Sequence, residues 1–190
     1  LNPLFHLVNG DLCYANVGDD PVDTWRSFFG NNMRSARNRP WMPAAGNHEN
    51  EVGNGPQGYL AYQTRFQLPP NGSREPEFAG NWYTFAVGSV RVISINNDDV
   101  CLQDGGFSAE RRDHAPGYAA KHLNPYVHGY SGGAQRAWLE RTLAEAREDD
   151  DIDWIVVCMH QVAMSSAHFN GADLGIRDQF LPLFDRYGVD

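Results

Sequence analysis

Short apolar runs alternate with polar loops and longer amphipathic stretches along most of the chain. Phe5-His-Leu-Val8 is an apolar run that ends in Asn9-Gly10-Asp11, the pattern of a strand feeding a loop. Asp23 or Thr24 is placed to cap a helix through Trp25, Phe28 and Phe29 to about Arg37. Trp41-Met-Pro-Ala-Ala45 predicts a second short strand, closing on Gly46-Asn47-His48-Glu49. Tyr59 to Phe66 has helical spacing, and Trp82–Val87 with Val90–Ile95 predicts a strand pair turning at Gly88-Ser89. Residues 98–131 are rich in Gly, Asp and His without a period, which predicts a long surface excursion. Gln135, Trp138, Leu139 and Leu143 lay an apolar stripe along a helix that Asp149-Asp150-Asp151 closes. Trp154-Ile-Val-Val-Cys158 predicts a buried strand ending at Met159-His160, and a last helix is expected from about Ile176 to Tyr187.

Strand, polar loop and helix therefore recur, as in layered α/β folds. In such folds the C-terminal ends of strands gather at one crevice, where ligands bind. Asp11, Asn47 and His160 each follow an apolar strand, so they are expected to converge although far apart in sequence. No internal repeat or linker divides the chain, which reads as one domain over residues 1–190. The first residues carry no charged n-region and no cleavage site, so no signal peptide is visible. Both ends read as cut within a larger domain.

Composition narrows the classes. With 190 residues, 42% hydrophobic and 21% charged, the chain can bury a core and has ordinary globular character. No stretch approaches the ~20 apolar residues of a membrane span. A net charge of −9 argues against a broad basic nucleic-acid surface, but not against a small anionic substrate, because bound metals dominate a local field. Cys13, Cys101 and Cys158 have no CxxC spacing. Cys158 reads as a core thiol. Cys13 and Cys101 either pair or stay reduced, and pairing would fit an exported protein.

Three short segments carry chemistry. In Gly10-Asp11-Leu12-Cys13-Tyr14 a carboxylate can bridge two cations, and a phenol three residues on can reach one of them. A turn Asp beside a packed Tyr gives the same letters. In Gly46-Asn47-His48-Glu49 an amide oxygen is a modest metal ligand and a neighbouring His can donate a proton or hold phosphate; a polar turn reads the same way. Val52 breaks the HExxH pattern, so a zincin is excluded. His160 after a hydrophobic strand suits an imidazole ligand or a hydrogen-bonded core residue. Gly53 to Gly58 matches GxGxxG but follows no strand and contains Pro56, so it does not predict a dinucleotide site. His114, His122 and His128 in the excursion either rim the pocket or are simply exposed, and exposure is the plainer reading.

Taken in order, these segments resemble the metallophosphoesterase family, and within it the purple acid phosphatases. That family carries motifs of the form DxG, GDxxY, GNH(D/E), VxxH and GHxH. The middle three stand here as Gly10-Asp11-Leu12-Cys13-Tyr14, Gly46-Asn47-His48-Glu49 and Val157-Cys158-Met159-His160. The first and last are absent from the chain. The resemblance implies an αββα layered sandwich with mixed sheets and hydrolysis of phosphate monoesters at two metal ions, Fe(III) and a divalent Fe, Zn or Mn. It implies that Asp11 bridges both metals, Tyr14 binds the trivalent one, and Asn47 and His160 bind the divalent one. His48 falls beside the substrate phosphate as an acid or clamp, and His168 falls where some members place a further substrate-side His. A phosphodiesterase or pyrophosphatase on the same scaffold, or a non-catalytic binder of phosphorylated ligands, is the alternative.

Overall fold

The computed structural model describes residues 2–51, 56–100, 130–166 and 172–190. Two small sheets stack between helices. β1 (His6–Asn9) and β2 (Trp41–Ala44) pair in parallel, with His6 opposite Trp41 and Asn9 opposite Ala44. β3 (Tyr83–Val87), β4 (Val90–Ser94) and β5 (Trp154–Cys158) form a second sheet in that order. Its first pair is antiparallel and its second parallel, so this sheet is mixed.

α1 (Pro21–Ala36) connects β1 to β2. Its start is set by Asp20 rather than by the expected Asp23 or Thr24. Pro21 has no N–H to lose in the first turn, and Asp20 accepts the Asp23 N–H at 3.0 Å. One face of α1 brings Trp25, Phe28 and Phe29 onto Trp41 of β2 and onto Phe66, just past the short α2 (Leu60–Arg65). On the far side, α3 (Ala134–Glu148), α4 (Leu174–Gln179) and α5 (Leu181–Tyr187) cover the mixed sheet. Ile93, Leu139, Leu143, Ile155, Ile176 and Phe180 form a fully buried core there. The layers are those of the expected αββα sandwich.

Two corrections follow. The single last helix is two, α4 and α5, which break at Phe180 where Pro182 enters the next first turn and the Phe180 ring fills the core. Asp98 and Asp99, expected at the start of a surface excursion, are each 1% exposed. They sit in a tight turn after β4, and Ser131 and Gln135 of the α3 entry bond the Asp99 carboxylate. Cys158 is a buried free thiol as expected, and Cys13 is also free. Cys101, His114, His122, His128 and His168 lie outside the described residues, as do most of the 98–131 segment and residues 53–55 of the Gly53–Gly58 match. Among the described residues no helix is long and apolar enough to cross a membrane.

The two sheets are joined at one carbonyl. Both Tyr62 and Tyr83, each fully buried, donate their hydroxyls to Pro43 O, at 2.7 and 2.9 Å. Phe5 meets Phe85 edge-on nearby, with ring centroids 5.3 Å apart. A single Tyr→Phe change leaves the buried carbonyl one donor. Tyr62→Phe and Tyr83→Phe should therefore each cost about 0.5–1.5 kcal/mol, and the double variant more than their sum. A double-mutant cycle by urea unfolding checks this, and simple additivity would show that the carbonyl finds another donor.

Candidate metal centre

Three loops meet at the C-terminal ends of β1, β2 and β5, and they meet backbone to backbone. A Cβ added at Gly10 would lie 2.7 Å from Gly46 N and 2.9 Å from His160 Cβ. One added at Gly46 would lie 2.4 Å from Asp11 Oδ1. Only glycine at both places lets the loops close, and Gly10 also needs its φ of 75°.

Asp11 and Tyr14 follow with φ of 52° and 57°. Left-handed backbone costs an L-residue roughly 1–2 kcal/mol, and such positions gather at functional sites. The turn carries the Asp11 carboxylate across to the other loops. Its Oδ1 accepts the His48 N–H at 3.1 Å. Its Oδ2 stands 3.1 Å from His160 Nε2 and 3.9 Å from His48 Nε2. Tyr14, 46% exposed, packs on the His48 ring with centroids 4.2 Å apart.

Each imidazole is aimed from behind. His160 Nδ1 lies 2.7 Å from Asn9 O, which can only accept, so the ring donates there and turns Nε2 toward Asp11. His48 Nδ1 lies 2.9 Å from Asn16 Oδ1 in the same sense. Burial pushes the Asp11 carboxyl up, but the His160 bond and charge and the His48 contacts outweigh it and hold it below its ordinary range. Burial pulls His160 down, yet the bond and charge of Asp11 leave it raised. For His48 burial prevails, Asp11 resists, His160 adds to the fall, and the imidazole is held below its ordinary value. Burial and the nearby Asp11 raise the Tyr14 phenol.

This arrangement suits cations. When neutral, both imidazoles turn an Nε2 lone pair toward one carboxylate oxygen, and atoms so placed need a proton or a metal between them. The donors on the shelf are a carboxylate, a phenol and imidazoles, with Asn47 half-buried on the turn between Gly46 and His48. Among the described residues no three carboxylates, imidazoles or thiols gather tightly enough to hold a metal alone. The shelf thus fits part of a ligand shell. Of the expected site residues, Asp11, Tyr14, His48 and His160 come together, Asn47 precedes His48 on the same turn, and His168 lies outside the described residues. Two concavities lie elsewhere, one of about 430 Å³ beside Phe28, Trp41 and Arg65 and one of about 820 Å³ beside Leu60, Thr64 and Pro76.

Sequence reading missed the residue that holds the shelf. Glu49 is fully buried, and its carboxylate accepts the Asp11 and Gly46 N–H groups at 2.7 and 2.8 Å through Oε2 and the Leu12 N–H at 2.7 Å through Oε1. It ties the β1 loop to the β2 loop. Burial pushes its carboxyl up, and the Leu12, Gly46 and Asp11 N–H groups pull back against that. Its place three residues after Gly46, the spacing of half a capping box, is the signal that could have found it. Asn9 and Asn16 left no such signal.

A family model described as calcineurin-like phosphoesterase matches residues 1–190. An uncharacterised protein of Mycobacterium tuberculosis is 61% identical over 189 residues, which are 99% of this chain and 32% of that protein. A purple acid phosphatase of Glycine max is 25% identical over 187 residues, 95% of this chain and 33% of that protein. The chain spans about a third of the length of these relatives. Among solved structures, a purple acid phosphatase from yellow lupin (Lupinus luteus) seeds superposes with a TM-score of 0.63 at 23% identity, covering 98% of this chain and 28% of that one. GAP50, the anchor in the inner membrane complex of Plasmodium, superposes with a TM-score of 0.54 at 17% identity, covering 99% of this chain and 52% of that one.

Glu49→Gln keeps the shape but turns an amide N–H₂ toward backbone donors. It should cost about 2–4 kcal/mol, because buried N–H groups lose a charged acceptor. Urea unfolding together with amide exchange at Asp11, Leu12 and Gly46 measures the effect. A loss under about 0.5 kcal/mol with unchanged protection would show that the clamp is not what joins the loops.

Proposed function

The chain belongs to the calcineurin-like phosphoesterase family, and from that premise we propose that it supplies the central part of a binuclear metal site that hydrolyses phosphate monoesters. The observation that carries the reading is the meeting of Asp11 with His160 and His48 at 3.1 and 3.9 Å, with both rings held from behind. Asp11 would be shared by two cations, Tyr14 would complete the shell of a trivalent iron, and Asn47 and His160 would serve a divalent iron, zinc or manganese. Further ligands are required beyond the residues that meet here. Cations held there would draw charge from phosphoryl oxygens and make a water acidic near neutral pH.

His48 has a separate part. Its Nδ1–H is committed to Asn16, so only Nε2 can exchange a proton with a substrate. A neutral His48 has no proton there to give. Because its pKa lies below the ordinary value, the donating form fills in acidic solution, which suits an acid phosphatase. The fold alone does not decide the matter, since it also occurs in an anchor protein. A phospho-ligand binder without catalysis is therefore the second reading, and a phosphodiesterase or pyrophosphatase is the closer variant.

In the full-length protein, Asp11→Asn should abolish phosphatase activity and lower metal content while leaving the unfolding midpoint nearly unchanged. Near-normal turnover with both metals retained would refute the shared-ligand role. His48→Ala should lower turnover by about 10²-fold or more on an alkyl phosphate and far less on an activated aryl phosphate, because a good leaving group needs little protonation. Equal losses on the two substrates would assign His48 to phosphate binding instead.

A further inference from the structure

The mechanism above leaves unexplained a chain of buried amides behind His160. The β4–β5 ladder ends with the Ile95 N–H donating to Cys158 O at 3.0 Å. His160 comes two residues later, past the end of the strand. The next fixed point is Gln161. There the fully buried Asn97 carboxamide takes both backbone groups: its Nδ2 donates to Gln161 O at 2.7 Å, and its Oδ1 accepts the Gln161 N–H at 3.3 Å. A side chain thus stands in for one more rung of a parallel sheet. The Gln161 side chain adds a bond from Nε2 to Asp98 Oδ1 at 2.7 Å.

Asn97 is itself held by the same device. Gln135 of α3, also fully buried, accepts the Asn96 N–H at 2.8 Å and donates to Asn96 O at 2.8 Å. Asn96 Oδ1 then accepts the Asp98 N–H at 3.1 Å and closes the turn that carries Asn97. Two carboxamide–backbone pairs in series therefore run from the core helix α3 to the loop of His160. Burying polar groups has a large desolvation cost unless they are bonded, and here all but Asn96 Nδ2 and Gln161 Oε1 of these carboxamides are, which fixes the geometry.

We propose that Asn97 is a positioning residue for His160: its two-point bond to Gln161 fixes the loop so that the imidazole meets Asp11. This rests on the reading of His160 as a metal ligand. Asn9 sets the ring's rotation through Nδ1, and Asn97 sets the backbone from which the ring projects. Asn97 touches neither the reacting atoms nor the shelf itself.

The test compares two buried asparagines in the full-length protein. Asn71 also serves backbone groups, donating to Phe78 O at 2.7 Å and accepting the Ser73 N–H at 3.0 Å, but in a turn that carries none of the shelf residues. Asn97→Ala should speed amide exchange across residues 159–162 and weaken Zn²⁺ binding about tenfold in a chelator competition, the usual effect of losing a support behind a ligand. Asn71→Ala, with a similar loss of unfolding midpoint, should change neither. Asn97→Asp, which keeps the acceptor for the Gln161 N–H and loses the donor, should fall between and serves if the Ala variant does not fold. The proposal is overturned if Asn97→Ala or Asn97→Asp binds Zn²⁺ as the parent does, or if Asn71→Ala weakens binding equally. A parent that binds no Zn²⁺ would refute the metal reading instead, and unchanged exchange at 159–162 would then refute the loop-fixing role on its own.

Discussion

The buried carboxylate of Glu49 is the interaction on which the site depends. Each of its three acceptor bonds ends on a backbone N–H of a loop that would otherwise bury an unpaired donor. Two of those donors belong to the β1 loop and one to the β2 loop, so the carboxylate is the joint between them. A charged group fully removed from water is costly unless several donors replace its hydration, and here they do. The same joint explains the local strain. Held at Asp11 N and Leu12 N, the chain turns through left-handed backbone at Asp11 and again at Tyr14, which delivers the carboxylate and the phenol to one shelf.

That joint works only because the layers beneath it are fixed. Pro43 O receives a hydroxyl from α2 and another from β3. The β2 end is thereby locked to the mixed sheet, whose β5 carries His160. Gly10 and Gly46 then permit contact distances that no side chain would tolerate. The convergence of Asp11, His48 and His160 is thus a result of packing between two sheets, with the loops following where the strands end.

Much of this was legible where the signal is local. Trp154–Cys158 is the observed β5, because a short apolar run bounded by polar residues has few other ways to be buried. The placement of Asp11, Asn47 and His160 after strands was enough to expect their loops to converge. What failed depends on contacts made across the fold. Asp98 and Asp99 look like surface residues by letter, and Tyr59, Ser131, Gln135 and Gln161, more than thirty positions away, hold them as buried ones. The last helix looked continuous because its apolar stripe is continuous; the break at Phe180 comes from Pro182 and a ring drawn into the core. Asn97 carries no local mark of its partners, and Glu49 carries only its capping-box spacing to Gly46.

The electrostatics of the shelf point the same way as its geometry. His160 is raised, so its contribution is full below the ordinary imidazole value of 6.5 and fades as pH rises through its folded value. Asp11 is lowered, so its contribution is full above the ordinary carboxyl value of 3.8 and fades as pH falls through its folded value. The pair therefore steadies the metal-free fold best between those two ordinary values, where a proton on His160 Nε2 faces an ionised Asp11. At higher pH that proton leaves, and two lone pairs 3.1 Å apart then oppose the packing that Glu49 and Asn97 enforce. A cation bound there, as proposed, would relieve the opposition. In the proposed reading, proton and metal would compete for one place, which the supports behind it keep when the proton has gone.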